Sequence, residues 1–453
     1  MVKEYLTRIE KNKGLNAFLE VFEEEALERA SVIDKKIQAG DAGKLAGIVI
    51  GLKDNLCYKD HEINCSSKIL EGFISLYSAT AVERLLEQDA IIIGRLNCDE
   101  FAMGSTNENS AYGNVLHPMD NTKVPGGSSG GAAVAVKAEM CTAALGTDTG
   151  GSVRQPASLC GIIGFKPTYG RISRYGLIAY ASSFDQIGVM SNSVDLVAQI
   201  LEVISGSDEY DSTCSSKPVD DYANNLELAG KLKIAYFTDC IDHPSLDKEI
   251  KSLTEELIAS LKKEGHTVEP VSFPYVDFMV PAYYVLTNAE ASSNLARYDG
   301  VKFGYRNDDA EDLESTYKKT RSEGFGTEVK RRIMLGTFVL SAGYYDAYYA
   351  KAQKVRRIIT DKTKEILDQY EFIITPTSPT TAFGIGEKTE NPISMYLSDI
   401  FTVHGNLTGL PVVSLPLWNH SSDGLPIGLQ VLGNKFSESR VLAFSEYLLQ
   451  RKN

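Results

Sequence analysis

Two glycine-serine blocks constrain this chain more than any other feature. Gly126-Gly127-Ser128-Ser129-Gly130-Gly131 comes first, and Gly150-Gly151-Ser152 follows. The stretch 104–176 holds 13 of the 37 glycines. Backbone without Cβ atoms turns tightly and lets its amides approach a ligand. Such loops need rigid elements around them, and the flanking sequence supplies these. Residues 48–52 (Ile-Val-Ile-Gly-Leu) read as a buried strand, with Lys53 at its end. Thr80-Ala81-Val82-Glu83 has the pattern of a capping box opening a helix, and 90–93 reads as the next strand. Residues 132–140 read as helix and 141–145 as strand, which puts Ser152 on a loop after a strand. This alternation points to an α/β fold with mainly buried strands, whose sites lie on loops beyond the strand ends.

The same rhythm covers the rest of the chain. An amphipathic helix is expected at 23–39, with Ala26, Ala30, Ile33 and Ile37 on one stripe and Gly40 as its stop. Further helices are expected at 193–205, capped by Ser193, and along Ile250, Leu253, Leu257 and Leu261, closed by Gly265. A long helix is expected at 344–370 and a last one at 437–450; strands are expected at 233–237, 372–374 and 425–432. Segment 207–232 is polar and reads as a surface excursion. No repeat, low-complexity tract or long linker divides the 453 residues, so we read one domain, 1–453.

Composition narrows the function classes. Hydrophobic residues make up 43% and charged residues 23%, the balance of a soluble globular protein. Seven cysteines are an odd number, and they include no CxxC pair. That argues against a disulfide framework or a zinc ribbon and fits a cytoplasmic location; no metal site is expected. The net charge of −14 gives no basic field for phosphates, so direct nucleic-acid binding is disfavoured. No apolar run approaches the ~18 residues of a membrane span, and the charged N-terminus is no signal peptide.

A serine hydroxyl is a weak nucleophile until a neighbouring base takes its proton. None of the six histidines lies in either glycine-serine block. Lysine can serve only when neutral, and bringing its ordinary value of about 10.4 near neutrality costs about 4 kcal/mol, which burial without a carboxylate partner can supply. Asp54 follows Lys53, but on an extended strand it points to the opposite side. Taken by position alone, Lys53 also reads as a strand-end surface lysine. The first glycine-serine block also reads as a flexible turn. A phosphate loop would need GK[ST] after its glycines, whereas Gly131 is followed by Ala132-Ala133.

Ser128 lies 24 residues before Ser152 (152 − 128), and Lys53 lies 75 before Ser128 (128 − 53). These motifs and spacings resemble the amidase signature family, in which a Ser-Ser-Lys triad cleaves carboxamides. The resemblance implies a single large α/β domain, with a central mixed β-sheet flanked by helices on both faces. The signature core would span about 45–190, and substrate-pocket and partner-facing elements about 270–410. It implies catalytic roles for Lys53, Ser128 and Ser152, with Ser152 as acyl-ester nucleophile and a cis peptide at Gly127-Ser128. The amides of Thr149, Gly150, Gly151 and Ser152 would form the oxyanion hole, Asp148 would brace that loop, and Arg154 would act as an internal clamp.

Later blocks narrow the resemblance to the A subunits of tRNA-dependent amidotransferases: Asn288–Gly300, Arg331–Gly336, Gly343–Asp346 and Met395–Thr402. That branch implies L-glutamine as substrate, with Arg332 on its α-carboxylate, Asp399 on its α-ammonium and Tyr283 lining the pocket. The physics agrees, since a zwitterion needs one cation and one anion, and guanidinium meets carboxylate bidentately. On composition alone, Arg332 and Asp399 read equally as surface charges. The branch further implies B and C partner subunits in a heterotrimer, no cofactor in this chain, ATP and magnesium on the B subunit, and tRNA bound mainly there. The acceptor, Glu-tRNA(Gln) or Asp-tRNA(Asn), stays open. So do a stand-alone amidase and an inactive scaffold subunit. The branch usually carries more residues before the Val2 helix, and His404 is unusual for it.

Overall fold

The computed structural model describes residues 1–388 and 395–451. Its strands are β1 (Phe18–Val21), β2 (Val49–Lys53), β3 (Ile91–Leu96), β4 (Ala143–Thr147), β5 (Ile163–Lys166), β6 (Ile187–Ser191), β7 (Lys233–Phe237), β8 (Thr267–Val271), β9 (Phe372–Pro376), β10 (Val412–Asn419) and β11 (Pro426–Gly433). They form one mixed sheet in the order β1-β3-β2-β4-β6-β5-β10-β11-β9-β7-β8. β3, β2 and β4 run parallel at one end, and β9, β7 and β8 run parallel at the other. Antiparallel pairs join the two parallel groups.

Side-chain alternation divides the strands between two faces. Ile50, Leu52, Ile92, Leu145, Val413, Val431 and Ile374 enter one core, with the helices Thr80–Glu87, Val194–Ile204 and Glu438–Gln450. On the opposite face, Val49, Ile91, Ile93 and Ala144 meet the helices Glu23–Ala39, Gly130–Lys137 and Arg154–Cys160. Farther along that face, Val412, Leu432 and Ile373 meet the helices Val276–Asn294, Lys351–Leu367 and Val403–Thr408. The sheet is thus covered on both sides, which is why its strands are apolar runs rather than alternating ones. No helix among the described residues is long and apolar enough to cross a membrane.

Three local expectations change. The Thr80 capping box does not form: the N-cap is Ala79, and the Thr80 hydroxyl, inside the first turn, donates to Asp208 instead. The helix expected at 344–370 is regular only over Lys351–Leu367. A π-type turn over Asp346–Ala350, in an exposed tyrosine-rich stretch, precedes it. The excursion at 207–232 has neither helix nor strand, yet it is anchored: Tyr222 is buried, and its hydroxyl accepts from Arg171 Nε at 2.8 Å. The expected pocket region, 270–410, includes 389–394, which lie outside the described residues.

Candidate active site

The parallel strands β2, β3 and β4 end on the same side of the sheet, and their ends gather the chemistry. Lys53 is the last residue of β2, Asp99 lies just beyond β3, and Asp148–Val153 follow β4. This is where open α/β sheets place ligands.

Lys53 is 0% exposed, which removes the surface-lysine reading. Its Nζ lies 2.7 Å from Ser128 Oγ, 3.0 Å from Ser129 Oγ and 3.5 Å from the Thr147 carbonyl. A neutral amine fits this set: two N–H groups for Ser129 and Thr147, and one lone pair for the Ser128 hydroxyl. Burial pulls the Lys53 ammonium below its ordinary range, against the pull of Cys98, Asp99, Asp148 and Cys65. Asp54 does turn away. Its carboxylate pairs with Arg95 Nη1 at 2.9 Å and accepts the Ser66 amide, while burial pushes it up to about 6.

The Gly127-Ser128 peptide is cis. The two serine blocks are stitched together by the Ser129 amide, which donates to the Ser152 carbonyl at 3.2 Å. Ser152 is 7% exposed. Among the described residues, no hydrogen bond joins the Ser128 and Ser152 hydroxyls: of the two contacts that the expected triad needs, Lys53 to Ser128 is made and Ser128 to Ser152 is not.

The loop before Ser152 is braced from inside. Asp148 accepts the Gly151 amide at 2.8 Å and the Val153 amide at 3.2 Å. Arg154 grips the same carboxylate with Nε and Nη2, each at 3.0 Å, and reaches the Thr402 carbonyl, Gln430 and Asn406. Burial alone would push Asp148 up, but Arg154, with Lys166 and Asn406, outweighs it and holds the carboxyl down at about 2. The expected brace and clamp are therefore one unit. This narrows the expected oxyanion hole. The Gly151 amide is spent on Asp148, while those of Thr149, Gly150 and Ser152 have no acceptor among the described residues. Gly151 at φ 129° has a conformation that L side chains rarely adopt.

The three expected substrate residues come together. Tyr283 Oη donates to Thr149 Oγ1 at 3.3 Å, and the charges of Arg332 and Asp399 both act on it. Arg332 and Asp399 are 2% and 6% exposed, which excludes surface charges. Asp399 accepts from the Ser105 hydroxyl at 2.5 Å; burial pushes it up to about 7, against Ser105 and Arg332. The two charges do not bond each other. Arg332 Nε donates to Glu328 at 2.8 Å and Nη1 to Tyr180 Oη at 2.9 Å, within reach of the rings of Tyr180, Tyr284 and Tyr396.

Sequence reasoning missed several of these partners. Ser129 was visible only as part of its block. Glu328 carries a signal, since i,i+4 from Arg332 is the spacing of a helical ion pair. Tyr180 and Thr402 carry none, because they arrive from distant loops. Thr402 Oγ1 donates to the Gly150 carbonyl at 2.7 Å. His404 is a core residue: buried beside Phe237 and Phe273, bonded to Thr363, and pushed down to about 3.

Comparison with known proteins identifies the family of the whole chain. The family model described as Amidase matches residues 1–442, and the chain belongs to the amidase family. Within it, the chain groups with the A subunits of glutamyl-tRNA(Gln) amidotransferases. That of Pelodictyon phaeoclathratiforme is 52% identical over 99% of this chain and 94% of its own length. That of Chlorobium phaeobacteroides is 51% identical over 98% and 94%. The crystal structure of the Thermotoga maritima counterpart superposes with a TM-score of 0.80 at 42% identity, over 98% of this chain and 89% of that one. The peptide amidase of Stenotrophomonas maltophilia shares 27% identity at a TM-score of 0.81, over 100% and 93%.

Proposed function

We propose that this chain is the glutaminase component of a tRNA-dependent amidotransferase, working through Ser152, Ser128 and Lys53. The observation that carries the reading is the buried Lys53 amine against Ser128 Oγ. Arg332 and Asp399 hold the α-carboxylate and α-ammonium of L-glutamine, and Tyr283 closes the pocket wall beside Thr149. Ser152 attacks the side-chain carboxamide carbon. Its proton passes to Ser128 as the Ser128 proton passes to Lys53. This requires the Ser152 hydroxyl to reach Ser128 when substrate is bound, a tightening common in catalytic hydrogen bonds.

The developing oxyanion meets amides of the 149–152 loop, each such donor contributing about 3 kcal/mol. Collapse of the tetrahedral intermediate breaks the C–N bond, and Lys53 returns its proton through Ser128 to the leaving nitrogen. Ammonia departs. Water then attacks the acyl ester with the same relay as base, and glutamate leaves.

The ammonia converts Glu-tRNA(Gln) to Gln-tRNA(Gln), or Asp-tRNA(Asn) to Asn-tRNA(Asn), in a cytoplasmic complex with B and C subunits. ATP, magnesium and most tRNA contacts belong to the B subunit, in keeping with the charge of −14 on this chain. Co-expression with those subunits gives the test. A complex carrying Ser152→Ala releases no ammonia from glutamine above background; release at the wild-type rate would end this proposal.

A further inference from the structure

A carboxylate with no role in that scheme ties its parts together. Asp99 is fully buried just beyond β3. Its Oδ2 accepts the Asn107 amide at 2.9 Å, its Oδ1 accepts the Asn109 amide at 3.1 Å, and its own amide donates to the Ser128 carbonyl at 3.1 Å. Two glycines clasp it: a Cβ on Gly104 would stand 2.2 Å from its Cγ, and one on Gly127 would stand 2.1 Å from Oδ2.

The loop that Asp99 gathers also reaches the substrate pocket. Ser105 in that loop donates its hydroxyl to Asp399 at 2.5 Å, and its carbonyl accepts from Gln155 Nε2 at 2.9 Å. Gln155 Oε1 in turn accepts the Gly127 amide at 3.0 Å. Asp99 therefore holds the backbone of the relay serine with its own amide, while its carboxylate packs on Gly127 and gathers the loop that steadies Asp399.

We infer that Asp99 is a positioning residue that holds Ser128 against Lys53 and, by its negative charge, sets the pH at which Lys53 becomes a working base. This rests on the Ser152-Ser128-Lys53 reading above. Burial pushes Asp99 up to about 6, so it is ionised at neutral pH; its amide partners, Lys53 and Arg332 pull the other way. The groups whose charges act on Lys53 are Cys98, Asp99, Asp148 and Cys65. Asp148 is already matched by Arg154, and both thiols are pushed up by burial and stay neutral. Asp99 is then the ionised group nearest to being uncompensated. An anion beside Lys53 favours its ammonium, so removing that anion lets Lys53 lose its proton at lower pH.

The test uses the full chain copurified with its co-expressed partner subunits, as wild type, Asp99→Asn and Gly104→Ala. It measures glutamine hydrolysis against pH, normalised per Ser152 labelled by a fluorophosphonate so that unfolded chains drop out. Asp99→Asn is expected to move the acid limb of kcat, read at saturating glutamine so that Asp399 in the free site does not enter, to lower pH by about 1 unit, with turnover per site falling about tenfold or more. Gly104→Ala displaces the carboxylate and keeps its charge, so turnover falls while an acid limb remains. An Asp99→Asn profile with the wild-type limb would reduce Asp99 to a loop staple and overturn the inference. Should Asp99→Asn yield no folded chain, unchanged turnover in Gly104→Ala would overturn it equally. If wild-type activity does not depend on Ser152, the function proposed above fails instead.

Discussion

Replacing Arg154 with methionine tests whether the loop that carries Ser152 is held by a buried ion pair. Arg154 makes two bonds to Asp148 at 3.0 Å, with further bonds to the Thr402 carbonyl at 2.9 Å, Gln430 at 3.1 Å and Asn406 at 2.7 Å. Methionine keeps much of the apolar stem and removes all five. Stripping one partner from a buried pair costs about 3–5 kcal/mol, because the other charge is stranded. Asp148 keeps the Gly151, Val153 and Asn406 donors, which places the cost toward the lower end.

The pH dependence fixes the sign. In the wild type, Asp148 titrates at about 2, below its ordinary 3.8, so its contribution to stability is complete above 3.8 and is lost as pH falls through 2. Without the guanidinium, burial takes over and raises the carboxyl above its ordinary value. Stability of the variant then falls as pH rises through that raised value. Urea unfolding at pH 8 and pH 5.5 should show a deficit of about 3 kcal/mol or more at the higher pH and a smaller one at the lower. A deficit under about 1 kcal/mol, the worth of an exposed pair, or one equal at both pH values, would refute the reasoning.

Two further predictions follow from the pocket. In Gly150→Ala the new Cβ would stand 2.6 Å from Tyr283 Cζ and 2.7 Å from its hydroxyl, so either the ring or the oxyanion loop must shift. Losing one oxyanion donor costs about 3 kcal/mol, and kcat should fall about 100-fold with the fold intact by circular dichroism. Asp399 titrates near 7 and must be ionised to hold an ammonium, so KM for glutamine should rise as pH falls through that value. Asp399→Asn should raise KM and abolish this inflection; an unchanged KM profile would remove Asp399 from the ammonium site.

The sequence revealed those parts of the fold and site that depend on local pattern. The apolar runs at 49–52 and 91–93 are strands because both faces of the sheet are covered, and Asp54 leaves the Lys53 side because strand neighbours alternate. Glycine density announced a loop that only bare backbone could form, and Gly150 and Gly151 do pack directly against Tyr283 and Thr402. What pattern could not convey was competition for hydrogen bonds between distant segments. Thr80 fits a capping box, yet Asp208 takes its hydroxyl. The Gly151 amide looks like an oxyanion donor until Asp148 is seen to use it. Short β8, with exposed Thr267 and Glu269, shows too little apolar alternation to be read as a strand, and it forms because β7 offers a parallel edge.

In the proposed mechanism, a neutral Lys53 amine activates Ser152 through Ser128. The rate at which a fluorophosphonate labels Ser152, followed by mass spectrometry from pH 5 to 9 in wild type and Lys53→Met, tests it most directly. We expect wild-type labelling to slow on acidification as Lys53 gains its proton, and the Lys53→Met rate to be lower by about 100-fold or more, with no such limb. Equal labelling of the two proteins across this range would show that Lys53 does not activate Ser152.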